Sequence, residues 1–447
     1  MSKSRGFEKL MAGMEKHLLP MADKLGNIKY LAAVRDGMIN AMPFLIVGSL
    51  LLLLLNIPVT DPESVIYVEW YANLMATHKA KWLQPFYASL GMASIFISFG
   101  IGSNLAKLYK LPTTPGGFLA MFAFFIVAAP VDGWPPMVQA RFLDTNGMFT
   151  AIVFSIFAVE VYRFMTSKGM TIRLPEQVPP AIARSFEALT PVIALMLILQ
   201  PMNLFVASLG EGGMLIPELV TKLFAPMVSA IDTLPGLLML VFGFHILWFF
   251  GMHGTNILGG IAAPVALANF QANNAAFVAG VAAPTIYAGS FLDMFVMIGG
   301  IGSTLGLAIA MSLSKNAHLK SIGRISIAPG IFQINEPVMF GTPIVMNPIL
   351  GIPFLVVPLV STVIAYFAAY HNLVGRVVTL VPWTTPAPVS ALLATNFSLT
   401  ALILSLFLLA FSTLAYMPFL KMYAKTLEAD QKQEEVNAIE SSEPATA

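Results

Sequence analysis

IAPGIFQINEPVMFGTPIVMNP, residues 327–348, decides how this chain is read. The stretch is apolar enough for a membrane, yet Pro329, Gly330, Pro337, Gly341, Pro343 and Pro348 break it repeatedly. At its centre stands Glu336, the one charged residue between Arg324 and Arg376. An ionisable group at membrane depth costs about 2.5–3.5 kcal/mol on insertion scales and marks a pathway or a binding site. Broken backbone at that depth must be buried in protein or line a wet cavity, because hydrocarbon offers no hydrogen bonds to freed N–H and C=O groups. In transporters that cavity usually holds the substrate. Gln333 and Asn335 add two amides to the carboxylate, and a sugar, whose hydroxyls need both donors and acceptors, suits that set. A simpler reading has Glu336 cap a half-helix or pair with a distant cation.

Working outward, the composition agrees with a membrane setting. Of 447 residues, 57% are hydrophobic and 11% charged, with mean hydropathy +0.78, whereas soluble domains carry about 25% charged residues. Lys+Arg 24 against Asp+Glu 23 leaves a net charge of +1, no surplus for wrapping nucleic acid. The absence of cysteine excludes disulfide scaffolds, thiolate metal sites and a thiol-borne intermediate on this chain. No metal-ligand cluster, P-loop, dinucleotide fingerprint or hydrolase elbow occurs, so the sequence implies no metal and no cofactor. Energy must come from a gradient or a partner.

The chain divides into five segments. Residues 1–26 alternate Lys and Glu with apolar residues at helical spacing, without the h-region or cleavage site of a signal peptide, and read as an amphipathic helix on the bilayer surface. Residues 27–210 hold five ordinary spans, about Met38–Pro58, Pro85–Leu105, Gly117–Val131, Gly147–Met165 and Leu189–Leu209. Lys107 and Lys110, then Arg163, Lys168, Arg173 and Arg184, put two loops and the N-terminus on the cytoplasmic side. Residues 211–234, with Glu211, Glu218, Lys222 and Asp232, read as an interfacial linker helix. Residues 235–424 are cut repeatedly by Gly and Pro before spans resume near Ile349–Tyr370 and Phe397–Leu420. Residues 425–447 form a charged cytoplasmic tail, a solvated helix end followed by disorder. The expectation is an all-α integral membrane protein with about ten transmembrane helices, two re-entrant hairpins and amphipathic interfacial helices. Gly254–Gly289 reads either as one hairpin or as a crossing, and only a crossing places the basic loop Lys315, Lys320 and Arg324 inside.

Other residues could carry chemistry. His253, in WFFGMHGTN (residues 248–256), lies between glycines that let a ligand approach; its imidazole can donate, accept or exchange a proton, or it simply hydrogen-bonds between helices. His245 lacks that context and reads as a packing residue. Trp383, in VPWTTP, offers a flat apolar face for a sugar ring and an N–H donor, or serves as an interfacial anchor. Asp293, the only charge from Thr233 to Ser314, is a weaker polar candidate that orients a partner. Glu160 and Arg163, three apart, read as a structural pair.

The segment GIFQINEPVMFGTPIVMNP (residues 330–348), with WFFGMHG (residues 248–254) and RLPEQVPPAIARSFEALTP (residues 173–191), closely resembles the IIC permease component of the bacterial phosphoenolpyruvate-dependent phosphotransferase system. The resemblance is to its lactose, cellobiose and diacetylchitobiose family and covers nearly the whole chain. It implies a homodimer in the bacterial cell membrane, with residues 27–210 as the dimerisation scaffold and residues 235–424 as a moving sugar-binding domain. It implies sugar contacts by Glu336 and His253, with Glu336 near the hydroxyl to be phosphorylated, and by Asn335, Gln333 and Trp383. It implies a phosphocysteine donor on a separate IIB protein, itself charged by IIA. The chain departs from the family at Gln333, where Asn is more usual, and at Ile301, where a small polar residue is. The implied function is translocation and coupled phosphorylation of a β-linked disaccharide, of cellobiose or diacetylchitobiose type. The competing reading is a proton-coupled sugar symporter in which Glu336 is the coupling carboxylate.

Overall fold

The computed structural model describes residues 20, 24, 27–57, 59, 67–132, 137–172, 175, 177–179, 186–209, 213–342 and 344–442. The surface helix expected in residues 1–26 and most of the 173–191 motif lie outside the described residues. The described chain is almost entirely helical, with one two-residue antiparallel pairing of Val131–Asp132 with Met137–Val138.

The first half is built from α1 (Lys29–Leu55), α2 (Glu69–Trp82), α3 (Gln84–Ser89), α4 (Ala93–Leu108), α5 (Thr113–Ala128), α6 (Met148–Ser167) and α7 (Leu189–Ser208). Lipid is as apolar as the helices, so association rests on close packing rather than on expulsion of water. The glycines of α1 and α4 supply it: a Cβ on Gly100 would lie 2.5 Å from the Gly37 carbonyl oxygen. Leu45, Ile97, Phe124 and Tyr162 fill the space between these helices and are fully buried. Glu160 gathers polar groups at one end of α6. Its Oε1 accepts from the hydroxyls of Tyr30 (3.0 Å) and Tyr109 (2.5 Å), and its Oε2 lies 2.6 Å from Arg163.

The second half begins with α8 (Ile216–Asp232), which turns 80° into α9 (Leu234–Phe249). Then come α10 (Gly254–Val278), α11 (Phe291–Phe295), α12 (Thr304–Ser312), α13 (Ala317–Ile331), α14 (Glu336–Gly341), α15 (Gly351–Tyr370), α16 (Ala387–Ala394) and α17 (Leu399–Ser442). Residues 254–278 form one 25-residue helix that absorbs Pro264, so no hairpin spans Gly254–Gly289. Irregular backbone falls instead at 279–303 and 371–398. Among the described residues six helices are long and apolar enough to cross a membrane, or seven if the bent α8–α9 pair counts as one span.

Both irregular segments find their hydrogen bonds inside the protein, as backbone at membrane depth requires. Three asparagines at the end of α10 hold their bases: Asn269 donates to the Tyr287 carbonyl (2.7 Å), Asn273 to Thr285 and Val377 (3.0 and 3.1 Å), and Asn274 to Val378 (2.9 Å). Asp232, at the end of α8, accepts from the N–H groups of Ile286 and Tyr287 at 3.0 and 2.6 Å. Hydroxyls on one face of α17 cover the hairpin formed by α11 and α12. Ser405 donates to Met294 (2.8 Å), Ser412 to Ser303 (2.8 Å) and Tyr416 to Gly302 (2.7 Å).

Four polar contacts join the halves among the described residues, one of them the ion pair of Arg141 Nη1 with Glu218 Oε1 at 3.2 Å. Arg35 Nη1 donates to the Asn256 carbonyl at 2.8 Å, Gln271 Nε2 to Asp144 Oδ2 at 3.3 Å, and the Leu380 N–H to Ser49 Oγ at 2.5 Å.

Candidate sugar site

The turn bearing Glu336 starts where Pro329 and Gly330 end α13. The N–H groups of Phe332 and Ile334 return to the Pro329 carbonyl, and Gln333 N–H to Gly330. This bend drives Gln333 to φ +67°, a left-handed conformation unusual outside glycine. Its side chain secures the bend. Oε1 accepts from Gly299 N–H (2.5 Å) and Gly300 N–H (3.1 Å), while Nε2 donates to the Asp293 carbonyl (3.0 Å). Asn335 continues the clamp, donating to the Ile301 carbonyl at 3.0 Å. The clamped loop is Met297–Ser303, in which Gly299, Gly300 and Gly302 all have positive φ. Glycine is needed there twice over, because a Cβ on Gly300 would also press on the Asn335 side chain at 2.7 Å.

Glu336 opens α14, with Pro337 in the first turn where its missing N–H costs nothing. Its side chain is exposed, and among the described residues its carboxylate has no hydrogen-bond or ion-pair partner. His253 is the N-cap of α10: Nδ1 accepts from Asn256 N–H at 3.3 Å and lies 3.0 Å from Thr255 Oγ1. An acceptor role for Nδ1 puts the proton of the neutral ring on Nε2, which is then a donor. The ring leans on Trp248, centroids 4.5 Å apart, and is close enough to both Glu336 and Arg35 to feel their charges. Among the described residues neither the Glu336 carboxylate nor His253 Nε2 has a hydrogen-bond or ion-pair partner, which leaves one a free acceptor and the other a free donor.

Next to Thr255 and Asn256 lies a cavity of about 300 Å³ between α1, α10, the α11–α12 hairpin and the irregular segment 380–383. Arg35, Thr255, Asn256, Asp293 and Trp383 are on its wall, whereas Glu336, His253, Gln333 and Asn335 are not. Trp383 is 55% exposed, so its face is available. A larger cavity of about 770 Å³ between α5 and α7 has, among the described residues, no charged or amide side chain on its wall, only the hydroxyls of Thr113 and Thr114 among apolar residues. His245 is fully buried and its Nδ1 lies 2.6 Å from the Val241 carbonyl of its own helix, as a packing residue should.

The sequence singled out five site residues, and the structure sorts them into three groups. Glu336 and His253 keep free polar atoms, Trp383 stands on the neighbouring cavity, and Gln333 and Asn335 turn toward the hairpin. Arg35, Thr255 and Asn256 were not expected. Thr255 and Asn256 were within the quoted WFFGMHGTN segment, but Arg35 precedes the first apolar run, and only the start of α1 at Lys29 brings it over Gly259 of α10.

The comparisons with known proteins bear on the same chain. The family model for the phosphotransferase system, EIIC, matches residues 35–358. The cellobiose-specific EIIC component of Geobacillus stearothermophilus is 33% identical over 438 residues, covering 94% of this chain and 95% of that protein. The lactose-specific EIICB component of Staphylococcus aureus (strain COL) is 30% identical over 441 residues, covering 96% of this chain and 75% of that protein. Among solved structures, the transporter ChbC, the IIC component from the N,N'-diacetylchitobiose-specific phosphotransferase system, superposes with TM-score 0.85 at 35% identity. The superposition covers 94% of this chain and 99% of that one. With its helical membrane architecture and an uncommitted carboxylate at its broken centre, the chain belongs to the phosphotransferase-system EIIC family of multi-pass membrane transporters.

Proposed function

We propose that the chain binds a β-linked disaccharide, of the cellobiose or diacetylchitobiose type, and carries it to the cytoplasmic face for phosphorylation by a separate IIB protein that IIA recharges. The names of the cellobiose-specific relative and of ChbC support the sugar class, and a relative described as EIICB supports the partner. The observation that carries the reading is the Glu336 carboxylate, unpartnered among the described residues and near enough for its charge to reach the His253 ring. His253 Nε2–H donates to a sugar oxygen and Glu336 accepts from the hydroxyl that reacts. In the transfer the sulfur–phosphorus bond of the IIB phosphocysteine breaks and an oxygen–phosphorus bond to the sugar forms. The hydroxyl proton passes to Glu336 as general base, and the thiolate of IIB leaves. Gln333 and Asn335 act by holding the turn, and Trp383 by stacking on a ring. Residues 27–210 serve as the scaffold of a homodimer and 235–424 as the moving domain. The protein sits in the bacterial cell membrane with both termini in the cytoplasm.

The test is phosphoenolpyruvate-dependent phosphorylation of a disaccharide panel by membranes containing the chain, with general phosphotransfer proteins and IIA and IIB. Product from a β-disaccharide, abolished by Glu336→Gln, is the expected outcome. Uptake that collapses with a protonophore and ignores phosphoenolpyruvate would overturn it in favour of a symporter.

A further inference from the structure

Asp144 has no task in the function proposed above. It caps the 145–147 turn ahead of α6, at the opposite end of that helix from Glu160, and is half-buried where the two halves meet. Its Oδ1 accepts from the Asn146 N–H at 2.8 Å, and its Oδ2 from Asn146 Nδ2 at 2.9 Å and from Gln271 Nε2 of α10 at 3.3 Å. Only the last bond crosses between the halves, and it is the longest of the three. The other polar atom of that side chain, Gln271 Oε1, is buried without a hydrogen-bond partner. A buried acceptor with no donor is uncommon and costly. An ionised carboxylate cannot supply the donor, because it only accepts; the neutral acid can, through its O–H.

Resting on the proposed movement of residues 235–424 against the scaffold, we infer that Asp144 is a proton-binding site that latches the two units: its protonated carboxyl donates to Gln271 Oε1 and holds them together, and its ionised form lets them part. The proton is exchanged with water in a cavity of about 570 Å³ on whose wall Asn146, Arg141 and Glu218 stand. The 145–147 turn packs against residues 90–92, α4, α6, α8 and α10. Residues 90–92 and α10 have no ionisable side chain, and Lys107 of α4 and Glu160 and Arg163 of α6 lie toward the far ends of their helices. From α8 come Glu218 and Lys222, and Glu218 is paired with Arg141. Burial pushes the Asp144 carboxyl up from the usual carboxylate range, against the pull of its Asn146 hydrogen bonds. Parting the units replaces Gln271 and the protein wall with water, which returns the group to its ordinary range. The closed seam therefore binds the proton more tightly than the parted one, and acid favours closure. The hold is complete within the usual carboxylate range and is lost as pH rises through the raised value.

The test is pulsed electron paramagnetic resonance on the purified full-length chain in lipid nanodiscs, titrated with pH. Spin labels go on Lys107→Cys of the scaffold and Leu313→Cys of the moving unit, both exposed. With Asp144 intact two distances should appear, the parted fraction rising about fivefold from acid to neutral pH, one neutral hydrogen bond's worth. Asp144→Asn keeps an oxygen for the Asn146 N–H and donates permanently, so the acid distribution should hold at every pH. Gln271→Leu deletes the acceptor and should raise the parted fraction in acid by about the same factor; it serves if the first variant folds poorly. Two distances in a ratio that ignores pH, an Asp144→Asn protein that titrates like its parent, or a Gln271→Leu protein unchanged in acid overturns the latch and leaves the moving domain standing. One distance at every pH, with and without cellobiose, overturns both.

Discussion

At the scale of single residues, two side chains that the sequence groups with the sugar are doing structural chemistry. Gln333 satisfies two N–H groups and one carbonyl of the hairpin while held at positive φ. Leaving buried backbone groups unpaired costs about 1–3 kcal/mol each, so Gln333→Leu should lower the thermal unfolding midpoint in detergent markedly. Gln333→Asn, one methylene shorter, should lose part of the clamp and recover part of the midpoint. His253 presents the opposite case, since one nitrogen caps α10 and the other is free. His253→Asn retains a capping oxygen and removes the ring donor, so stability should persist while sugar binding falls about five- to tenfold, one hydrogen bond's worth. His253→Ala should lose both, read by the same binding assay and an unfolding scan. The candidates Glu336 and His253 were legible because charge and glycine punctuation stand out against apolar sequence. The inward turn of Gln333 and Asn335 was not, because an amide's direction depends on which distant backbone offers it partners.

At the scale of elements, the ordinary spans of the first half were legible from apolar length alone, each overlapping a helix of the structure, the second bridging α3 and α4, with α1 starting about two and a half turns earlier than its apolar run. The second half was harder. Its Gly and Pro signals mark breaks but not which breaks are absorbed: Pro264 lies inside an unbroken α10, whereas Gly299, Gly300 and Gly302 bend the hairpin loop. The difference lies in partners, since α17 hydroxyls and α10 asparagines satisfy the irregular segments from more than a hundred residues away. Gly302→Ala combines a strained φ with a collision between its Cβ and the Phe354 ring, and sugar binding should vanish even in protein that still inserts. Ser49→Ala removes the acceptor of the buried Leu380 N–H. Hydrogen exchange at Leu380 should accelerate, because the group held by α1 is released.

At the scale of the molecule, a chain without cysteine accepts single reporter thiols without background. Lys107→Cys and Lys320→Cys should both react with a charged maleimide from the cytoplasmic face only, and Phe407→Cys, on an exposed apolar face of α17, should stay unreactive in the bilayer. Labelling of the two lysine positions from opposite faces would sink the proposed orientation. The 44 residues of α17 reach about 66 Å at 1.5 Å per residue, twice the hydrocarbon thickness of about 30 Å. That helix is therefore about twice as long as one crossing needs. The Gln333 and Asn335 clamp has a consequence for transport itself. It welds the carboxylate to the hairpin tip, so in the proposed movement cargo hook and carriage floor would travel as one piece. That relocation would strain the couplings to the track, Arg35 to Asn256, Ser49 to Leu380 and Asp144 to Gln271, and leave the proposed grip on the sugar unaltered along the way.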